Sequence, residues 1–351
     1  GKTRLTMRHA AVHLDAYSGE GGGGVWFCDL TEARSLDGVC SAVGRALAVP
    51  LTTGKTSADT VAQLGHAIAG RGRVLLVLDN FEQVVATAPD TVARWMSLAP
   101  DARFLISSQE RLKLPGEAVH ELTPLSVPDD PGRAADSEAV QLFVQRARAV
   151  RREWSPSASD LPAIVEIVRA LDGIPLAIEL AAARIGVLPP TKILERLPRR
   201  FELLGGARRD ATARQATLRG AIDWSLGLLR DHEKDALAQC SVFHGGFSLE
   251  AAEEVLDLSA HAGAPWPLDV VQSLRDKSLL RVWEPGDFPG ELRFGMYNNI
   301  REYAAEKLLA AGGTEAAVER HAAHFLTVGS EWAKGVDTHG GLERLRRLAL
   351  E

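Results

Sequence analysis

The chain has 351 residues, of which 46% are apolar and 25% charged, and its formal net charge is −6. That length exceeds what one hydrophobic core usually organises, and the composition excludes a disordered, collagen-like or coiled-coil chain. The acidic balance argues against a generally basic nucleic-acid-binding surface, and no apolar run approaches the roughly 18 residues that cross a bilayer. In chain order, Leu5, Met7 and Val12 predict a helix over 5–16, beginning almost at the first residue. Residues 19–24 (GEGGGG) read as a flexible turn and 25–30 (VWFCDL) as a short buried strand. Helices are predicted near 36–49 and 57–70. The aliphatic run 73–79 (RVLLVLD) suits a parallel strand buried on both faces. A helix near 87–98 leads to further strands at 103–108 (RFLISS) and 119–125 (VHELTPL). Strands alternating with helices predict a doubly wound parallel sheet.

The period then changes. Residues 128–132 (PDDPG) read as a linker, followed by helices over 136–150, 159–171, 175–187 and 190–199. A second boundary is expected at 205–210 (GGARRD). Beyond it lie helices near 217–229, 231–239, 249–256 and 268–277, then a small hairpin pairing 279–283 with 292–296. Helices followed by a two-stranded wing describe a winged-helix domain. Residues 299–311 and 315–333 read as a helical pair that would open a helical repeat array.

Gly1-Lys2-Thr3 at a helix start matches the end of the phosphate-binding loop GxxxxGK[ST]. There Lys meets the β- and γ-phosphates, the Thr hydroxyl meets Mg²⁺, and amides at the helix N-terminus favour anions. The tripeptide alone is weak evidence. It gains weight from the strand ending at Asp79, the Walker B pattern, in which Asp orients Mg²⁺ through its water shell.

Five further segments carry a family likeness: LLVLDNFEQV (75–84), FLISSQERLKLPGE (104–117), LDGIPLAIELAAARI (171–185), RQATLRGAIDWSLGLL (214–229) and VFHGGFSLEAAEEV (242–255). In this order they resemble the signal-transduction ATPases with numerous domains (STAND), in the NB-ARC-like branch of large bacterial transcriptional regulators. The resemblance implies a P-loop α/β nucleotide-binding domain over 1–127 and a helical domain over 134–204. It further implies a winged-helix-like domain over 214–300 and a helical extension over 301–351 that starts tetratricopeptide-like (TPR) repeats. The chain is expected to begin inside the Walker A loop, with the first strand and most of the phosphate loop absent. The 351 residues are therefore expected to bind nucleotide poorly on their own, whatever the parent protein does.

The same resemblance places Gly1, Lys2, Thr3, Arg4, Ser108, Gln109 and Pro175 at ATP or ADP, and Thr3 and Asp79 at Mg²⁺. Asn80 stands where many active relatives carry a water-activating acid, and an amide is a poor general base near pH 7. Glu82 is the candidate substitute beside Asp79; its alternative is a solvated residue on the following helix. The segment Ser107-Ser108-Gln109-Glu110-Arg111 matches a sensor usually read T-S-R-E, with Gln109 in place of the arginine that would face the γ-phosphate. Arg111 is expected at the surface. Gly173-Ile174-Pro175 ends one helix and opens the next; the resemblance adds that Pro175 packs near adenine. Tyr297, in Met296-Tyr297-Asn298, replaces the histidine of a Met-His-Asp motif and is expected to pack rather than ligate.

Other features take plain readings. Cys28, Cys40 and Cys240 suit neither a disulfide framework nor a zinc site and fit a reducing cytoplasm. Ten histidines show no paired metal-ligand spacing, and Arg146, Arg148, Arg151 and Arg152 read as a solvated helix end. The leading expectation is a regulatory switch, closed with ADP and opened by ATP for self-association or output through other domains of the polypeptide. The alternative is a DNA-binding winged helix on an inert α/β scaffold. Its basic stretch 208–219 is short and interrupted by Asp210, so direct duplex binding is not expected. A vigorous ATPase motor is disfavoured by Asn80 and Gln109.

Overall fold

The computed structural model describes residues 1–19, 21–52, 56–128, 134, 136–204 and 217–351. It divides into two compact units, Gly1–Leu122 and Thr123–Glu351.

The first unit runs α1 (Lys2–Val12), β1 (Gly22–Asp29), α2 (Leu36–Ala46), α3 (Ser57–Ala69), β2 (Arg73–Asp79), α4 (Val92–Leu98) and β3 (Arg103–Ile106). The strands form a parallel sheet in the order β1-β2-β3. The aliphatic run of β2 is buried from Val74 to Asp79, as a strand covered on both faces requires. Trp95 on α4 is fully buried and donates its indole N–H to the Val61 carbonyl at 3.0 Å, which satisfies its polar atom inside the core.

Two expectations for this unit are corrected. Gly22, Gly23 and Gly24 are not a turn but the first residues of β1. At Gly23 a Cβ would lie 2.4 Å from the Arg71 carbonyl oxygen, so the strand can approach its neighbour there only without a side chain. Residues 119–125 form no strand, and Val119 and Leu122 are exposed. A parallel partner for β3 needs a connection that crosses a face of the sheet, usually through a helix. The segment after β3 contains no helix and instead folds onto Glu117, whose carboxylate accepts from the Leu112 and Leu114 amides.

The second unit begins with α5 (Glu138–Val150), α6 (Asp160–Ala170), α7 (Pro175–Ala182) and α8 (Pro190–Arg196). After a short turn over Arg200–Leu203 come α9 (Leu218–Gly227), α10 (Asp231–Gln239), α11 (Leu249–Val255) and α12 (Pro267–Asp276). An antiparallel hairpin of β4 (Arg281–Trp283) and β5 (Arg293–Gly295) follows, with Val282 opposite Phe294. The chain continues through α13 (Asn298–Ala310), α14 (Thr314–Ala333) and α15 (Gly341–Leu350). Two apolar clusters organise this unit. One gathers Phe143, Ile164, Val168 and Ile178 with Leu218, Ile222 and Tyr303; the other gathers Leu237, Phe247, Val255, Leu274 and Ala304. Tyr303 and Ala304 are successive residues of α13, so this helix serves both cores. The linker predicted over 128–132 lies outside the described residues apart from Pro128. The boundary predicted over 205–210, and the basic stretch up to residue 216, also lie outside them.

Among the described residues no helix is long and apolar enough to cross a membrane. All three cysteines are buried and free. Burial pushes the Cys28 and Cys240 thiols up to about 12, and burial together with Asp37 pushes Cys40 up to about 11. Because only the thiolate is nucleophilic, the folded protein is expected to resist alkylation at pH 8, with all three thiols reacting after unfolding. Counting modified cysteines with and without denaturant checks this; rapid labelling of the native protein would contradict it.

Candidate functional site

Side chains converge where the parallel strands end, the edge at which open α/β sheets bind ligands. Strand β2 delivers Asp79, the chain leaving β3 delivers Ser107 and Ser108, and the start of α1 delivers Lys2 and Thr3. Lys2 Nζ donates to the Ser108 carbonyl at 2.9 Å, and Thr3 Oγ1 donates to Asp79 Oδ2 at 2.8 Å. The Ser107 hydroxyl donates to Asp79 Oδ1. Asp79 is only 1% exposed. A carboxylate so buried needs donors on both oxygens, and α1 and the chain leaving β3 each supply one.

Asn80 explains how the turn is built. Its φ of 63° and ψ of 48° are left-handed, a conformation Asn tolerates better than most residues. Its backbone N–H donates to Ser107 Oγ at 3.1 Å, and the next amide, Phe81, donates to the Ser107 carbonyl at 2.9 Å. Asn80 Nδ2 thereby lies 3.1 Å from Asp79 Oδ2, 3.2 Å from Asp29 Oδ1 and 2.9 Å from Thr31 Oγ1. Asp29 and Asp79 are register partners at the ends of β1 and β2. Sequence reasoning missed Asp29 and Thr31. The available signal was that both strands end in Asp, but only the register shows that one amide bridges the two acids.

The first unit thus brings together Gly1, Lys2, Thr3, Asp79 and Ser108. Gly1 precedes α1, and its carbonyl accepts from the Leu5 amide at 3.0 Å. Arg4 is exposed on α1, Gln109 is half-buried in the loop after β3, and Arg111 is exposed, as expected. Glu82 is 6% exposed on the 3₁₀ turn Phe81–Thr87, which corrects the alternative of a solvated helix residue. Pro175 belongs to the second unit, at the first turn of α7. Among the described residues no group of three or more His, Cys, Asp or Glu side chains is placed to hold a metal ion. A cation here would rest on Thr3, Asp79 and water.

Relatives extend over nearly the whole chain. An uncharacterized protein of Mycobacterium tuberculosis is 33% identical over 327 residues, covering 93% of this chain and 78% of its own length. The chain belongs to the same family as that protein. A second M. tuberculosis protein, provisionally named an HTH-type transcriptional regulator, is also 33% identical over 327 residues; the chain spans 34% of its length. No family model matches the chain. Among solved structures, a Walker-type ATPase of Pyrococcus abyssi aligns over 80% of this chain and 83% of its own. The identity is 12% and the TM-score 0.49.

Proposed function

We propose that this family member is a nucleotide-dependent regulatory switch of the STAND class, in its NB-ARC-like branch, binding ATP or ADP with Mg²⁺. The observation that carries the reading is the meeting of Lys2, Thr3 and Asp79 at the strand ends, with Thr3 Oγ1 and Asp79 Oδ2 2.8 Å apart. The donor set fits the cation, since a hydroxyl and a carboxylate are hard oxygen ligands of the kind Mg²⁺ takes alongside water and phosphate. Bound Mg²⁺ would neutralise phosphate oxygens of the nucleotide. Lys2 would place its ammonium against the same phosphates, and the first amides of α1 would add donors. Asp79 would hold its orientation through Ser107 and Asn80. Pro175, Gln109 and Arg4 complete the proposed nucleotide contacts.

Asn80 is an amide where water would have to be activated, so the reading includes slow or absent hydrolysis, with Glu82 as the remaining acid on the following turn. Slow turnover suits a switch, whose signal lasts as long as the triphosphate state. The name given to the longer mycobacterial relative supports a regulatory role. Within the reading, α9–α12 and the β4–β5 hairpin form a winged-helix-like domain, and α13–α15, over 301–351, begin a TPR-like extension. Output would pass through other domains of the polypeptide. The purified intact protein is expected to release ADP or ATP on denaturation, detected chromatographically, and to exchange it for added nucleotide. A protein that neither carries nor binds either nucleotide would sink the reading.

Direct DNA binding is the competing role for the hairpin region. Its charge speaks against this: Glu284, Asp287 and Glu291 lie in or beside the hairpin loop, and Arg347 is engaged by Glu291 at 2.6 Å. A salt-sensitive gel shift with duplex DNA would favour the competing role.

A further inference from the structure

The proposed site leaves one neighbouring acid without a role. Asp29 ends β1 as Asp79 ends β2, and the two are register partners on adjacent parallel strands. Asn80 Nδ2 reaches both carboxylates, lying 3.1 Å from Asp79 Oδ2 and 3.2 Å from Asp29 Oδ1. The Asp79 oxygen that it meets also accepts from Thr3 Oγ1 at 2.8 Å, on the side where the cation is proposed. A single amide nitrogen therefore stands between Asp29 and the oxygen that would face the cation.

Asp29 is also held in place. Its Oδ1 accepts from Thr31 Oγ1 at 2.5 Å and from the Thr31 backbone N–H at 2.9 Å. Thr31 Oγ1 accepts in turn from Asn80 Nδ2 at 2.9 Å, and Gln83 Nε2 braces the loop by donating to the Thr31 carbonyl at 2.7 Å. A carboxylate gripped by several donors keeps one orientation, and Asp29 is exposed to solvent at the strand end. Glu82 differs, being only 6% exposed within the turn Phe81–Thr87. An aspartate at position 80 would set a third carboxylate against the other two, where like charges repel. The donor at 80 and the acid at 29 are thus a matched pair.

We propose that Asp29 supplies the acid that position 80 lacks, accepting the proton of the water that attacks the γ-phosphorus of ATP. The proposal rests on the nucleotide reading above and gives Asp29 the role that sequence alone offered to Glu82. As the water oxygen bonds to phosphorus, the bond from phosphorus to the β–γ bridging oxygen breaks. Its electron pair stays on the ADP oxygen, inorganic phosphate forms, and Asp29 passes the proton on to solvent. Asn80 is the positioning residue, since its amide holds Asp29 beside Asp79.

ATP turnover and ADP affinity of the intact protein, measured side by side with Mg²⁺, test this. Asp29→Asn is expected to keep ADP affinity within about threefold and to lose about 100-fold or more in turnover, the scale of a general base. The exchange Asp29→Asn with Asn80→Asp returns one acid and one amide to the pair. It is expected to recover at least about tenfold of the turnover that Asp29→Asn loses. Without nucleotide, Asn80→Asp alone is expected to lower the urea midpoint of the full chain, and adding Asp29→Asn to raise it again. Wild-type turnover in Asp29→Asn, or no turnover by a wild type that binds ADP and ATP, would overturn the proposal. So would a loss confined to Glu82→Gln, or an Asn80→Asp midpoint that Asp29→Asn does not raise. A wild type that binds neither nucleotide strikes the nucleotide reading itself, and this proposal with it.

Discussion

Replacing Asp79 by alanine is expected to lower the affinity of the intact protein for magnesium nucleotide by about 100-fold, and to destabilise the fold by about 2–4 kcal/mol. The first effect follows from the proposed cation site, which would keep Thr3 alone as its protein ligand. The second follows from the hydrogen bonds. Thr3 Oγ1, the Ser107 hydroxyl and Asn80 Nδ2 all point at this one carboxylate, and Ser107 is itself buried. Removing the acceptor takes it from the Thr3 and Ser107 hydroxyls in a water-poor site, while Asn80 Nδ2 keeps Asp29 and Thr31. Asp79→Asn separates the two effects: it keeps the shape and one acceptor, so most stability should return while cation-dependent affinity does not. Denaturant midpoints and calorimetric titration measure both. An Asp79→Ala protein that binds magnesium nucleotide as the wild type does would remove Asp79 from the site.

Gly173→Ala is expected to cost about 2–5 kcal/mol through left-handed strain and overpacking together. Gly173 holds φ at +65°, and a Cβ there would fall 2.2 Å from the Leu125 carbonyl oxygen. Relief would displace the Leu125 strip, whose amide donates to the Gly173 carbonyl at 3.0 Å. It would also disturb Asp172 and Pro175 on either side. Gly312→Ala is the control. That residue has φ +71° with nothing within 4 Å of the added carbon, so it should lose only the backbone share, about 1–2 kcal/mol. Equal losses at the two positions, read from urea midpoints at constant slope, would mean the Leu125 contact yields freely.

Much of the architecture was legible because its signals are local. The aliphatic run of β2 announces a doubly covered strand, and the hairpin at 281–295 stands within two residues of its predicted ends. Lys2, Thr3 and Asp79 were paired by motif, and the Thr3–Asp79 hydrogen bond joins two of them directly. What escaped depends on partners distant in sequence. The glycines of β1 read as a turn because nothing near them reveals how closely Arg71 passes Gly23. Residues 119–125 have the composition of a strand but no crossover to bring them beside β3. Asp29 and Thr31 join the site only through the β1–β2 register. The hydrogen bond from Asn298 Nδ2 to the Asp172 carboxylate links positions 126 residues apart, which periodicity cannot detect.

The central claim, that Lys2, Thr3 and Asp79 form a nucleotide site, is tested most directly by titrating the intact protein with ADP and ATP, with Mg²⁺ and with a chelator. The wild type and Lys2→Ala are measured side by side. The account predicts binding that requires Mg²⁺ and weakens by at least about tenfold when the Lys2 charge is removed, the scale of one charge-assisted hydrogen bond. Absence of binding by the wild type, or equal affinity in Lys2→Ala, would contradict it.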